Sequence, residues 1–323
     1  MISIIETMSL TKIFSNKLIA VNNLNLKVEE GAIYGLLGPN GAGKTTVIRQ
    51  LLSLIRPTSG VVKVFDEDMT PNSSNLRGRI GYLSTNPKYP PKMTPITYLN
   101  FVGKLFCLSK SVRTSRLSSL IRSVDLLHSA SQEIKGFSTG MVTRLGLAAA
   151  MMNHPDLLIL DEPTSGLDPV GRKSTLDLLE QLESEKTILI SSHILTDIER
   201  ICTHVGIINE GKLIYSGTIK EMKKHIQSNR FRLELDGNID TFCDRLASIE
   251  GIVDYKKMGE FAVEIRFVSG SSVLKMALAV LNLIVECNLE LISLNSAVSS
   301  IEEAFLELIE EEESLGFTRA FRD

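Results

Sequence analysis

The sequence predicts an α/β fold followed by a smaller α+β domain, and three observations support this prediction. Short apolar runs alternate with segments of helical periodicity over roughly the first 225 residues, which is typical of a parallel sheet covered by helices. A glycine-rich segment joins one of these runs to a helix, and beyond residue 225 the pattern changes. The 323-residue chain is long enough for two domains, which we place at residues 1–225 and 226–323.

The chain opens with a β-rich segment. Residues 2–37 alternate apolar and polar side chains, as at 24–28, and this period of two favours strands. The segment ends in an apolar run at 32–37, which is typical of a buried strand. We therefore expect a β-rich subdomain that leads into a central strand.

The glycine-rich segment at 38–45 matches the phosphate-loop pattern G-x-x-x-x-G-K-[ST] at every fixed position. Glycines let backbone N–H groups close around phosphate oxygens, and the helix that follows adds its N-terminal dipole. The lysine of this pattern reaches the outer phosphates, and the threonine can ligate Mg²⁺. A glycine-rich turn without a ligand would match by chance in about one chain of this length in a hundred. The predicted contacts to a nucleoside triphosphate are Gly38, Pro39, Asn40, Gly41, Ala42, Gly43, Lys44, Thr45 and Thr46.

The second informative site is an acidic pair at the end of an apolar run. A helical pattern from about residue 95 to 152 predicts a helical subdomain, and short apolar runs follow at 156–161 and 186–191. Asp161 and Glu162 end the first of these runs. Asp161 can hold Mg²⁺ beside the phosphate loop, and Glu162 can activate a water for attack on the terminal phosphate. Taken alone, the pair could equally be an exposed acidic strand end.

The C-terminal part has a different order of elements. A polar, basic stretch at 220–230 is our candidate linker. The predicted elements beyond it are strands at 231–235, 253–257, 261–267 and 289–294, with helices at 239–249 and 272–287. The order strand, helix, strand, strand, helix, strand is typical of a ferredoxin-like domain.

The composition excludes several classes of protein. Lys and Arg number 35 against 38 Asp and Glu, and no basic cluster with interleaved aromatics occurs, so we expect no nucleic-acid partner. The four cysteines are widely separated and form no C-x-x-C pair, which argues against zinc and disulfides. No basic segment with an apolar core opens the chain, and no window reaches about 18 uninterrupted apolar residues. We expect neither a secreted nor a membrane-spanning chain.

Further motifs, in a fixed order, resemble the ATP-binding subunits of ABC transporters over about residues 3–225. The segment around Ser138 and Gly140 resembles the signature that contacts the terminal phosphate held by the opposite subunit. Asp168 matches the D-loop that crosses the dimer interface. Alone, the signature segment would be an ordinary serine-capped helix. The resemblance implies that all three residues contribute to ATP binding.

The same resemblance implies roles for two other residues. His193 matches the switch histidine that senses the γ-phosphate, although a lone histidine after a strand is usually a core or surface residue. Phe14 matches the aromatic residue that stacks on adenine, although it could equally belong to the core. The implied catalytic residues are Glu162, His193 and Lys44.

One position departs from the family pattern. After the strand at 80–83, where the family usually has glutamine, this chain has Ser-Thr-Asn at 84–86. Thr85 can still ligate a metal through its hydroxyl or a water, but it is shorter than glutamine and lacks the amide donor. We expect Mg²⁺ ligation by Thr45, Asp161 and Thr85, with retained hydrolysis.

The resemblance also implies cofactors, partners and a location. ATP and Mg²⁺ are the expected cofactors, and two ATP molecules would lie between phosphate loops and opposing signatures of two ATPase subunits, most simply a homodimer. Transmembrane permease subunits would hold the protein on the cytoplasmic, inner face of the cell membrane. The C-terminal segment resembles that of the drug, antibiotic and sodium efflux group, so we expect an exporter.

Two other functions stay open on the sequence. A soluble ABC ATPase acting on a macromolecular assembly would carry two ATPase units with a basic linker, or a long coiled coil between phosphate loop and acidic strand. Lys44 and Asp161 are too close in sequence for that coiled coil. A hydrolysis-impaired regulatory ABC module is motivated by Thr85, but intact Glu162 and His193 argue against it.

Overall fold

The computed structural model describes residues 3–15, 17–182, 186–222, 230–246, 248–259, 261–268 and 271–296, with residues 305, 306, 308 and 309. The chain forms two compact units, built mainly from Met1–Ile219 and from Lys220–Leu308. This division precedes the predicted boundary at 225/226, which lies outside the described residues. The domain limits therefore stay a prediction.

The first unit contains eleven strands among its described residues. They are β1 (Ser3–Ile13), β2 (Ile19–Leu24), β3 (Lys27–Glu29), β4 (Ile33–Leu37), β5 (Ser59–Val64), β6 (Glu67–Asp68), β7 (Ile80–Leu83), β8 (Leu157–Asp161), β9 (Thr187–Ser192), β10 (His204–Asn209) and β11 (Lys212–Thr218).

Helices of the first unit alternate with these strands. They are α1 (Lys44–Leu51), α2 (Ser74–Gly78), α3 (Pro95–Leu105), α4 (Lys110–Ser123), α5 (Thr139–Met151), α6 (Pro169–Gln181) and α7 (Leu195–Ile201), with 3-10 turns at Leu127–Ser129 and Ile134–Gly136.

The N-terminal strands form an antiparallel sheet of order β2-β1-β5-β6, with β3 paired to β1. Along β1, Ile5 and Thr7 are buried on one face, as the period of two predicts. The register against β5 shifts between Met8 and Thr11, where Ser9 has φ of 48°, and Leu10 thereby packs in the same core as Ile5. Leu24 from β2 and Val64 from β5 join the same core. The expected β-rich subdomain is thus present.

The central sheet has the order β11-β10-β4-β9-β8-β7, in which all neighbours are parallel except the edge strand β11. Every residue of β4, β8 and β9 is buried, because helices cover both faces of a parallel sheet. The three predicted apolar strands are therefore confirmed. Their register pairs Leu37 with Ser192 and Asp161 with Ser191, so their carboxyl ends meet at one edge.

A helical region lies between β7 and β8, as predicted. Helix α3 begins with a capping box at Thr94 and a proline at its first position, which satisfies the first backbone donors. The Tyr89 ring lies 4.8 Å from that of Tyr98, and burial raises the pKa of both phenols. Gly146 of α5 admits this packing, since a Cβ there would lie 2.4 Å from the Tyr89 hydroxyl. The helical region thus has its own tightly packed contacts.

The second unit has one sheet and two helices among its described residues. The elements are β12 (Arg230–Asp236), α8 (Asp240–Leu246), β13 (Ile252–Lys257), β14 (Ala262–Phe267), α9 (Val273–Glu286) and β15 (Glu290–Ser296). The antiparallel sheet has the order β13-β14-β12-β15. Leu233 and Ile265 from the sheet pack with Phe242 and Leu283 from the helices, so this unit has a hydrophobic core of its own.

No helix within the described ranges has both the length and the hydropathy needed to cross a bilayer. The most apolar helix, α9, has only 14 residues.

Candidate nucleotide-binding site

The phosphate loop connects β4 to α1, in the strand–loop–helix arrangement that the sequence predicts. Glycine is required at two of its positions. A Cβ at Gly38 would lie 2.2 Å from the carbonyl oxygen of Ile208, and a Cβ at Gly43 would lie 2.3 Å from that of Ala20. Gly43 also has φ of 110°, in the left-handed region. The loop is therefore held tightly against its neighbours.

The loop borders a cleft of about 560 Å³, which lies in the size range of small-molecule sites. Its lining includes predicted loop residues and four other predicted site residues, and it adds three residues that the sequence did not indicate. The lining residues are Phe14, Leu18, Ala20, Pro39, Asn40, Gly41, Ala42, Gly43, Lys44, Thr45, Thr46, Thr85, Glu162, Ser165 and His193.

Three predicted catalytic side chains form a continuous chain of contacts at this cleft. Lys44 Nζ lies 3.2 Å from Glu162 Oε1 and donates to the carbonyl oxygens of Gly38 at 2.6 Å and Pro39 at 3.3 Å. His193 Nδ1 lies 2.7 Å from Glu162 Oε2. The Lys44 and Glu162 side chains are only 6% and 10% exposed, so their attraction is weakly screened by solvent. The glutamate thus lies between a fixed cation and the histidine.

Oxygen ligands gather beside this chain of contacts. Asp161 is 1% exposed, and its Oδ1 accepts hydrogen bonds from Thr45 Oγ1 at 3.2 Å and Ser191 Oγ at 2.6 Å. Carboxylate and hydroxyl oxygens are the ligands that Mg²⁺ prefers, and the chain places them next to the phosphate loop. The donor set therefore fits a magnesium ion held together with phosphate oxygens.

Glu162 has an unusual backbone conformation. Its φ is 54°, which a non-glycine residue adopts only at a cost and which is frequent at functional sites. Ser191 stabilises this turn, because the Glu162 N–H donates to the Ser191 hydroxyl at 3.0 Å and faces its carbonyl oxygen at 3.2 Å. Asp161 is buried, and this turn lets the next residue, Glu162, extend its side chain into the cleft.

Thr85, the position that departs from the family pattern, also lines the cleft. Its hydroxyl donates to the carbonyl oxygen of Asp161 at 3.2 Å. The loop after β7 is thereby attached to the peptide that joins Asp161 to Glu162. The hydroxyl oxygen retains lone pairs for a ligand, so its predicted role at the metal stays a prediction.

The predicted adenine contact, Phe14, borders the cleft with 39% of its surface exposed. The Lys12 ammonium lies 5.3 Å from the centre of its ring, within range of a cation–π contact. Lys12 Nζ also donates to the carbonyl oxygen of Arg56 at 2.8 Å, which anchors it. The aromatic ring is therefore supported and partly open to solvent.

Four predicted ATP contacts do not line the cleft, namely Gly38 of the phosphate loop and three residues outside it. Ser138 is the N-cap of α5 and accepts the Met141 N–H at 3.3 Å, and Gly140 lies in the first turn of that helix. Asp168 caps α6 by accepting the Gly171 N–H at 3.3 Å. One chain thus brings the phosphate loop, acids and histidine together at a cleft that Ser138, Gly140 and Asp168 do not line.

The structure adds site residues that sequence reasoning missed. Ser191 contacts both acids, and Ser165 lines the cleft. Ser191 could have been found from the sequence because it ends the apolar run at 186–191, as Asp161 ends the run at 156–161. The run alone does not give the register between β8 and β9, which brings the two residues side by side.

Comparison with known proteins identifies the family of this chain. A model of the ABC transporter family matches residues 21–165. The bacitracin transport ATP-binding protein BcrA of Bacillus licheniformis is 42% identical over 72% of this chain and 75% of its own length. The daunorubicin/doxorubicin resistance ATP-binding protein DrrA of Streptomyces peucetius is 34% identical over 94% of this chain and 92% of its own.

A solved structure of the ATP-binding subunit of an ABC transporter superimposes with a TM-score of 0.62 at 26% identity, covering 68% of this chain and 92% of that one. The predicted α/β ATPase fold is confirmed by this similarity. The chain belongs to the ATP-binding proteins of the ABC transporter family.

Membership defines the general function. The protein binds ATP and hydrolyses it to power transport, and it associates with the membrane through transmembrane permease subunits. The relatives favour this function over the two alternatives that the sequence left open.

Proposed function

We propose that this chain hydrolyses Mg²⁺-ATP at the described cleft, with Glu162 as general base and His193 and Lys44 as its partners. The observation that carries the proposal is the contact chain Lys44–Glu162–His193 beside the phosphate loop. A glutamate in this position can accept a proton from a water, and its two neighbours fix the carboxylate. Ser191 fixes the backbone from which that carboxylate extends.

Several groups would stabilise the negative charge on the terminal phosphate. The Lys44 ammonium and the loop N–H groups supply positive potential, and Thr45 and Asp161 would hold Mg²⁺, which neutralises phosphate oxygens when bound. When phosphate enters, Lys44 exchanges its contact with Glu162 for one with the phosphate, which frees the carboxylate to receive a proton. His193 then remains to orient it.

The second half of each site would come from the partner subunit. Ser138 and Gly140 lie at the N-terminus of the 13-residue helix α5, where backbone donors and the helix dipole favour anions. Neither residue lines the cleft of its own chain, which leaves both available to a phosphate held by the partner. Asp168 would lie at the same interface.

Removal of the divalent ion tests the metal assignment. Because carboxylate and hydroxyl oxygens meet at Asp161, we expect a chelator to reduce hydrolysis by the permease complex to background, and added Mg²⁺ to restore it. Asp161→Asn should raise the Mg²⁺ concentration needed for half-maximal rate by more than about tenfold. An unchanged Mg²⁺ requirement in that variant would remove Asp161 from the metal site.

The base contact is tested at Phe14. Loss of aromatic stacking costs about 1–2 kcal/mol, so Phe14→Ala should raise the KM for ATP roughly tenfold with little change in kcat. Phe14→Tyr keeps the ring and should behave as wild type. A steady-state titration with ATP measures both constants, and equal KM values for the Ala and Tyr variants would contradict stacking.

We further propose that the protein is cytoplasmic, on the inner face of the cell membrane, and that it powers an exporter. Support comes from the relatives, whose names state bacitracin transport and daunorubicin/doxorubicin resistance. The second unit, with its strand order β13-β14-β12-β15, would be a ferredoxin-like accessory domain of this exporter.

Isolation of the complete transporter tests this function. The chain carrying an affinity tag is purified from membranes, and the associated permease is identified by mass spectrometry. We expect ATP hydrolysis that is stimulated by bulky antibiotic-type compounds and accumulation of these compounds in inverted vesicles. Recovery of the chain without a membrane partner, or bound to ribosomes, would refute the proposal.

A further inference from the structure

A buried carboxylate away from the cleft connects the two segments that carry Glu162 and His193. Asp197 lies in the first turn of α7, just after His193 in sequence, and is 3% exposed. Thr164, in the loop just after Glu162, is also 3% exposed and donates its hydroxyl to Asp197 Oδ2 at 2.6 Å. This contact joins the loop after β8 to the helix after β9.

The other carboxylate oxygen of Asp197 accepts a hydrogen bond from a third element, helix α6. Arg172 of α6 donates through Nε to Asp197 Oδ1 at 2.6 Å, and its Nη2 donates to Thr196 Oγ1 at 2.6 Å. Buried charges persist when they are paired and hydrogen-bonded, and Asp197 meets both conditions. The planar guanidinium group fixes two successive residues of α7 at once. Loop, α6 and α7 therefore meet at one buried point.

The same two segments also meet at the cleft, where His193 Nδ1 lies 2.7 Å from Glu162 Oε2. The Thr164–Asp197 hydrogen bond is thus a second connection between them. Because Thr164 and Asp197 lie two and four residues after Glu162 and His193, this buried bond limits how far the backbone segments that carry the pair can move apart. The cleft lining includes neither Thr164 nor Asp197, so an effect of either residue on hydrolysis would be indirect.

We infer that Thr164 and Asp197 are positioning residues for ATP hydrolysis, which hold Glu162 and His193 in their working geometry. The inference rests on the catalytic roles proposed above for that pair. The two residues would affect the rate through geometry, because a misplacement of about 1 Å in a reacting group can cost about 100-fold in rate.

The test uses the purified permease complex and a conservative pair of variants at Thr164. Thr164→Val keeps the shape and removes the donor, and we expect kcat to fall about tenfold with the KM for ATP within about twofold of wild type. Thr164→Ser restores the hydroxyl and should keep kcat within about twofold. Added to His193→Ala, Thr164→Val should cause no further loss, because the pair that it positions is already broken.

Binding of a non-hydrolysable ATP analogue at full stoichiometry shows that each variant is folded. Equal losses in the Val and Ser variants, a rise in KM alone, or independent losses in the double variant would overturn the inference. Glu162→Gln, assayed beside them, separates the two proposals. Full activity in Glu162→Gln would overturn the catalytic assignment and the inference with it, whereas full activity in Thr164→Val beside an inactive Glu162→Gln would overturn the inference alone.

Discussion

Glu162→Gln is expected to lower kcat for ATP hydrolysis by about 10³-fold while ATP binding is retained. Glutamine has the same size as glutamate and can still accept from Lys44, but its amide cannot take a proton from water. The lining of the cleft is otherwise unchanged, so ATP still enters. Bound ATP that is not hydrolysed should hold two subunits together. Single-turnover hydrolysis and size-exclusion chromatography with ATP measure the two effects.

A matched control is available on the surface of the same unit. The Glu180 side chain is 38% exposed and pairs with Arg200 at 2.8 Å, and ion pairs that solvent reaches contribute little to stability. Glu180→Gln should therefore hydrolyse ATP at a rate within about twofold of wild type. If Glu162→Gln retained more than about a tenth of the wild-type rate, a different group would have to be the base.

The sequence predicts those parts of the fold that depend on local pattern. The apolar runs at 32–37, 156–161 and 186–191 become β4, β8 and β9, because a strand buried on both faces has to be apolar throughout. The phosphate loop is equally local, since its turn needs positive φ at Gly41 and Gly43, 84° and 110°, which glycine adopts readily. Pattern and structure therefore agree at the centre of the sheet.

Contacts between distant residues could not be predicted in this way. The Ser191–Asp161 hydrogen bond depends on the register of two parallel strands, and the Thr164–Asp197 bond depends on how a loop and a helix pack. Both bonds join residues about 30 positions apart, and many registers would satisfy the same apolar pattern. No sequence pattern around Ser191 or Thr164 indicates which distant residue each one contacts.

A different limit applies to residues that act on another subunit. Ser138 and Asp168 are N-caps in this chain, and capping alone accounts for their presence at helix starts. Neither the sequence pattern nor the fold of one subunit separates a capping role from a phosphate contact on the partner. The distinction requires a change that affects only the partner's site.

Gly140→Asp provides such a change, and we expect it to lower ATP hydrolysis by about 100-fold or more while the chain becomes no less stable. A Cβ at Gly140 would meet nothing nearer than Leu167 Cδ2 at 3.9 Å, so the larger side chain fits its own subunit. An acid in the first turn of α5 suits the helix dipole, and replacement of glycine favours the helix. The same carboxylate would repel the terminal phosphate held by the partner subunit.

Two further variants at Gly140 separate charge from size. Gly140→Asn has the shape of aspartate without its charge and should lose much less activity, and Gly140→Ala should lose least. Thermal unfolding of the isolated chain should show a Tm for Gly140→Asp equal to or above that of wild type, which excludes misfolding as the cause.

ATP binding by the isolated chain should be unchanged, because the cleft lining of the same chain does not include Gly140. Full hydrolysis by Gly140→Asp in the permease complex would mean that the start of α5 does not meet the partner's phosphate, and the composite site would then have to be built from other residues.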